Sequence, residues 1–112
     1  MDKKLKETMI KEEGELLFTT LAEECCELAQ ACTKITRARH KGDKPIDLLR
    51  LCNICEEIGD VQMNIELIKE QIAKEYFGEY ENVVDVENLI EEQRNLTEEK
   101  LKKIFLGGAN EL

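Results

Sequence analysis

Residues 15–39 read ELLFTTLAEECCELAQACTKITRAR, and residues 47–76 read DLLRLCNICEEIGDVQMNIELIKEQIAKEY. These two stretches decide the fold. In the first, Leu17, Leu21, Leu28, Cys32 and Ile35 recur at the spacing of one helix face. In the second, Leu51, Ile54, Ile58, Val61, Ile65, Ile68 and Ile72 do the same. Asp47 is a good N-cap, because its carboxylate can accept from backbone N–H groups that have no partner in the first turn. Gly14, Gly42, Pro45 and Gly78 act as breaks or stop signals around the two runs. Each helix is then roughly 40 Å long. The connector from His40 to Pro45 is short, so the two helices are expected to lie antiparallel.

Working outward, the lysine- and glutamate-rich residues 1–13 read as a short helix or a frayed arm. Beyond Gly78, Asn82 to Asp85 reads as a turn or connector. Asp85 is placed to cap a helix running to about Asn95, and Thr97 to cap another ending at Gly107 and Gly108. The expected fold class is all-α: a long antiparallel helical hairpin with short C-terminal helices. It forms one domain over residues 1–112, with its core in 15–76 and a helical extension in 79–112. Long helices in so short a chain tend to bury their remaining apolar surface against a partner.

The bulk numbers agree. Charged residues make up 37% and aromatics 4%, with one proline, a profile that favours helices over strands. The formal net charge of -9 repels phosphate backbones, so a nucleic acid polymer is not an expected partner. No apolar run approaches the roughly 20 residues of a membrane span, and the opening has no signal-peptide apolar region. The expected setting is soluble and cytoplasmic, with no membrane partner and five reduced cysteines.

Two acidic clusters stand out on these helices: Glu23, Glu24 and Glu27 on the first, Glu57 and Asp60 on the second. Residues three apart on a helix point the same way. With about 100° per residue, Glu24 falls inside the stripe of Leu17, Leu21, Leu28, Ala31 and Ile35. Glu27 lies at one edge of that stripe, followed by Lys34. On the second helix, Asn53, Glu57, Asp60 and Asn64 form a polar ribbon beside Ile54, Val61, Ile65, Ile68 and Ile72. About the same number of residues separates each acidic cluster from the turn, so the clusters reach similar heights along the hairpin. A carboxylate within an apolar stripe is costly unless paired. Hard oxygen ligands gathered on neighbouring helices suit Mg²⁺, with Mn²⁺ as an alternative. The competing explanation is a buried salt bridge from Glu24 to Lys34, Arg37 or Arg50.

Leu21-Ala-Glu-Glu-Cys-Cys-Glu-Leu-Ala-Gln30, followed by Glu56-Glu-Ile-Gly-Asp-Val61, resembles the MazG-like all-α nucleoside triphosphate pyrophosphohydrolases of the short single-domain type. The mark of that family is EExxE, a variable gap, then ExxD. The resemblance spans residues 15–75, and the gap of 29 residues between Glu27 and Glu57 is at the long end. It implies an enzyme that cleaves a nucleoside triphosphate to a monophosphate and pyrophosphate, possible work in cleaning the nucleotide pool included. By motif position, Glu24, Glu27, Glu57 and Asp60 would be the Mg²⁺ ligands. Glu23 would orient a water or the groups around the ion's ligands, and Lys34 would face the phosphates. It also implies a homodimer or homotetramer whose helices assemble into a four-helix bundle. The alternative is a non-catalytic dimerisation or regulatory module that keeps the family fold.

The other signals are weaker. Cys52 and Cys55 lie about one turn apart and, with Cys25 or Cys32, offer a zinc site or a redox bridge. As reduced thiols, the five read more simply as small core residues. His40 is the only histidine. It lies in a cationic run from Arg37 to Lys41 that suits the C-terminus of a helix. Arg37, one turn beyond Lys34, alternatively extends a phosphate-facing patch. Asn64 is placed either to contact substrate or to be an ordinary polar residue beside the core.

Overall fold

The structure is a computed structural model that describes residues 1–39, 45–78 and 83–107. His40, Gly42, the Asn82 connector and Gly108 lie outside these residues. Every regular element among the described residues is a helix: α1 (Lys3–Glu13), α2 (Leu16–Arg39), α3 (Leu48–Phe77) and α4 (Val83–Phe105). None is long and apolar enough to cross a membrane.

Local chemistry sets the helix ends. Asp2 caps α1 by accepting from the Leu5 N–H at 3.0 Å. Gly14 closes α1 at φ +52, a backbone region that glycine enters without steric cost. The opening therefore forms an ordered helix rather than a frayed arm. Asp47 caps α3, accepting from the Arg50 N–H at 3.0 Å and from its guanidinium at 2.6 Å. Both bonds hold the Asp47 carboxyl below its usual range, the backbone bond most strongly. Gly78, at φ +79, follows the end of α3.

The chain divides into two compact units, Met1–Gln71 and Ile72–Leu112. In the first, Ile35, Ala38 and Arg39 of α2 line one cleft with Pro45, Asp47 and Arg50 at the start of α3. Further along, Glu24 meets Glu57 and Asp60. Numbers falling along α2 thus meet numbers rising along α3, which makes the pair an antiparallel hairpin. Leu17 and Ala31 of α2 are buried, as are Val61, Leu67 and Ile68 of α3 and Ile10 of α1. Removing one such leucine from water contributes roughly 1.5–3 kcal/mol. Lys6 of α1 donates to Glu66 at 3.2 Å and Glu70 at 3.3 Å on α3. These part-buried ion pairs clasp the first helix to the hairpin. In the second unit, Ala73 at the end of α3 and Val86 of α4 are buried.

Three expectations need correction. The buried face of α3 is turned from the expected stripe: Leu51, Ile58 and Ile65 are about 40% exposed, while Asn53, Glu57 and Asn64 are half-buried. α3 is apolar over more than one face, so periodicity alone does not say which face meets α2. The five cysteines are free and exposed, not core residues; Cys32 sits outside the α2 stripe that buries Leu17 and Ala31. Finally, the two short C-terminal helices are one continuous α4. The Thr97 hydroxyl donates back to the Gln93 carbonyl at 3.0 Å. It is satisfied in mid-helix and caps nothing, and no glycine or proline interrupts residues 83–105.

Candidate metal centre

On α2, Glu24 repeats the core phase of Leu17, Leu21, Leu28 and Ala31, so its side chain is carried toward α3. On α3, Glu57 sits between Ile54 and Val61 in the same three-to-four phase, and Asp60 is one turn further. One carboxylate oxygen from each of Glu24, Glu57 and Asp60 lies within 4.8 Å of the other two. Glu24 and Glu57 are half-buried, and Asp60 is exposed. Oε2 of Glu24 and Oε2 of Glu57 are buried without a hydrogen-bond partner.

The electrostatics match this crowding. Burial pushes the Glu24 carboxyl above its usual range, and the neighbouring Glu27, Asp60 and Glu23 push it further. Burial also raises Glu57, with Glu27, Asp60 and Glu24 adding to it. Glu27 is the largest charged contributor to the rise of both Glu24 and Glu57. It is exposed and is not one of the three side chains whose oxygens gather within 4.8 Å.

No cation among the described residues relieves this charge. Arg50, one candidate for a buried salt bridge, is engaged by Asp47. Lys34 and Arg37 are exposed and line a shallow groove on α2 with Ala29, Gln30 and Thr33. The salt-bridge explanation for Glu24 is therefore not formed. The fit to a hard divalent cation rests on the two orphaned buried oxygens and an all-oxygen donor set. Among the described residues, Glu24, Glu57 and Asp60 are the one group of three acidic, cysteine or histidine side chains gathered this closely; the cysteines form no comparable cluster.

Glu23 is exposed beside Glu24 and contributes to its raised pKa. Lys34 lies seven residues beyond Glu27, about 10 Å along the helix, and Arg37 is one turn further. Asn64 is half-buried, and its amide donates to the Asp60 carbonyl at 2.8 Å. That bond commits the Asn64 donor to its own helix beside a cluster residue. Glu57 is half-buried in the face of α3 that meets α2, not on a ribbon beside it. The signal was present: Ile54, Glu57, Val61, Asn64 and Ile68 make an unbroken three-to-four series.

Helical projection separates two edges of the hairpin. Glu23, Glu27 and Lys34 fall on the same side as Asn53, Asp60 and Asn64. Phe18, Ala22, Cys25, Ala29 and Cys32 fall on the opposite side with Leu51, Cys55 and Ile58. All eight residues of this second edge are exposed in the single chain.

The chain matches no protein-family model, no curated protein and no solved structure. The resemblance over residues 15–75 thus rests on the motif residues themselves.

Proposed function

We propose that the chain is a Mg²⁺-dependent nucleoside triphosphate pyrophosphohydrolase, releasing a nucleoside monophosphate and pyrophosphate. The observation that carries this reading is the convergence of Glu24, Glu57 and Asp60 with two buried carboxylate oxygens left without partners. The resemblance to the MazG-like enzymes supplies the triphosphate.

Glu24, Glu27, Glu57 and Asp60 would hold the ion. Bound there, Mg²⁺, or Mn²⁺ in its place, offsets phosphate charge and lowers the pKa of a water. The chain's own residues then have separate tasks. Glu23 orients the water whose oxygen attacks the α-phosphorus, and the α–β anhydride bond breaks with its bridging oxygen leaving in pyrophosphate. Lys34 and Arg37 stabilise negative charge on the departing phosphates. Asn64 steadies the turn of α3 that carries Asp60.

The reading includes a homodimer or homotetramer in which two hairpins form a four-helix bundle. The apolar edge of Phe18, Ala22, Cys25, Leu51 and Ile58 supports it, because a soluble chain does not normally leave so continuous an apolar strip in water. The same edge favours the second reading, a non-catalytic self-assembly module, which needs no chemistry. The two part on one experiment. Full-length protein with Mg²⁺ is incubated with a panel of canonical and modified ribo- and deoxyribonucleoside triphosphates, and pyrophosphate is measured. Release from at least one, lost on chelation, is expected. No release from any of them removes the enzymatic reading.

A further inference from the structure

Asn53 stands one turn before Glu57, and neither the core nor the ion accounts for it. Of the residues of α3 between Arg50 and Glu57, Asn53 and Ile54 are half-buried and the other four are exposed. Ile54 is apolar and suits a place against α2. Asn53 brings an amide into the same sheltered stretch, about 6 Å from Glu57 along the helix axis. Asn64, on the other side of the cluster, commits its amide to the Asp60 carbonyl at 2.8 Å. The Asn53 amide makes no such bond to its own helix, and no other group among the described residues takes it. A sheltered amide without a partner in the fold lowers stability where an apolar residue would not.

Its place along the hairpin indicates what it meets. Because α2 and α3 run antiparallel, the path from the cluster toward the connector passes Asn53 on α3 and then Lys34 on α2. Lys34 stands about 10 Å beyond Glu27, and helical projection puts both on the same edge as Asn53. The backbone offers an anion nothing along this path, since N–H groups inside a helix are already bonded. On α2, Gln30 and Thr33 are exposed and line the shallow groove with Arg37. Asn53 is the half-buried polar side chain of the interval, and its amide carries two N–H donors. We infer that Asn53 binds the departing pyrophosphate, donating to phosphate oxygens between the ion and Lys34. A donor seated between two helices is in position before the substrate arrives, whereas a lysine on a flexible stem is not. This role rests on the pyrophosphohydrolase reading and adds to it the residue that holds the leaving group. Asn53 is not a ligand of the ion, so its loss should spare metal binding.

The test titrates pyrophosphate, in saturating Mg²⁺, into the full chain and its Asn53→Ala and Asn53→Asp variants by calorimetry. Melting curves and helix content are followed by circular dichroism. Asn53→Ala should bind pyrophosphate at least about 10-fold more weakly than the wild type, the loss of a hydrogen bond to a charged group. Asn53→Asp should bind it more weakly still, because it sets a carboxylate against the anion. Asn53→Ala should also keep the melting rise produced by Mg²⁺ and, without ligand, melt at or above the wild-type temperature. A lower melting temperature with unchanged pyrophosphate affinity would make the amide structural and overturn the inference. So would a wild type that binds no pyrophosphate. If that wild type still releases pyrophosphate from a nucleoside triphosphate, the role of Asn53 falls alone; if it releases none, the pyrophosphohydrolase reading falls with it.

Discussion

Replacing Glu57 by glutamine removes one charge from the cluster and keeps its shape, so it separates the cost of the crowded carboxylates from their use. The oxygens of Glu24, Glu57 and Asp60 lie within 4.8 Å of one another. Around Mg²⁺, with oxygens at about 2.0–2.1 Å, adjacent ligands stand about 2.9 Å apart and opposite ones about 4.1 Å. The cluster therefore needs to close by only about 1–2 Å, within the reach of side-chain rotation. A ligand at about 100 times its dissociation constant stabilises the folded state by about 2.7 kcal/mol. For a chain of 112 residues that corresponds to a rise of about 10 °C in the melting temperature. The assay is thermal unfolding followed by circular dichroism, with chelator and then with saturating Mg²⁺ or Mn²⁺. In chelator, Glu57→Gln should melt at or above the wild-type temperature, because the fold disfavours the ionised Glu57 carboxyl. With metal, the wild type should rise by about 10 °C and the variant by less than about 2 °C. The reasoning fails if the variant keeps the full metal-induced rise, or if the wild type shows none.

The remaining expectations concern pH, the core and the apolar edge. Glu24 and Glu57 have folded-state pKa values above their ordinary ones. Their contribution to stability is therefore fully present below the unfolded-state value and lost as pH rises through the folded-state value. Chelated protein should melt higher at pH 5 than at pH 8, while the rise produced by Mg²⁺ should be smaller at pH 5 than at pH 8, because protons compete with the ion for the same carboxylates; a pH series of melting curves checks both. Leu67 is 2% exposed, so Leu67→Ala should cost about 2–5 kcal/mol, read as a lower midpoint in urea at constant slope. Ile58→Glu places a charge on the exposed apolar edge. Sedimentation should show association weakened at least about 30-fold, with the helix content intact.

Much of the fold is legible because its signals are local. Asp47 caps α3, and Gly14 and Gly78 mark helix ends where a positive φ is needed. The position of Glu24 inside an apolar stripe is legible too, since one helix projection decides it. What escapes sequence reading depends on packing. Leu51, Ile58 and Ile65 are as hydrophobic as Ile54, Val61 and Ile68, and only the docking of α2 decides which set is covered. Thr97 has the chemistry of a cap. A hydroxyl that bonds back to Gln93 serves a continuous helix equally well, and local sequence does not choose between them. In the centre, the pairing of Glu24 with Glu57 and Asp60 followed from the matching distances to the turn. The sealing of one oxygen on each glutamate did not, because it depends on the side chains closing over them.

The clasp between α1 and α3 bears on the order in which the molecule folds. Lys6 meets Glu66 and Glu70 across 60 and 64 residues of chain, whereas α2 and α3 are joined through a short connector. Doubling a loop adds only about 0.6 kcal/mol of closure entropy, but the binding surface for Lys6 lies on a helix that must already be in place. Docking of α1 is then a late event on the folding path and an early one on unfolding. Amide hydrogens of α1 should exchange through partial openings that leave α2 and α3 protected, making the first helix a removable cover on a hairpin assembled before it.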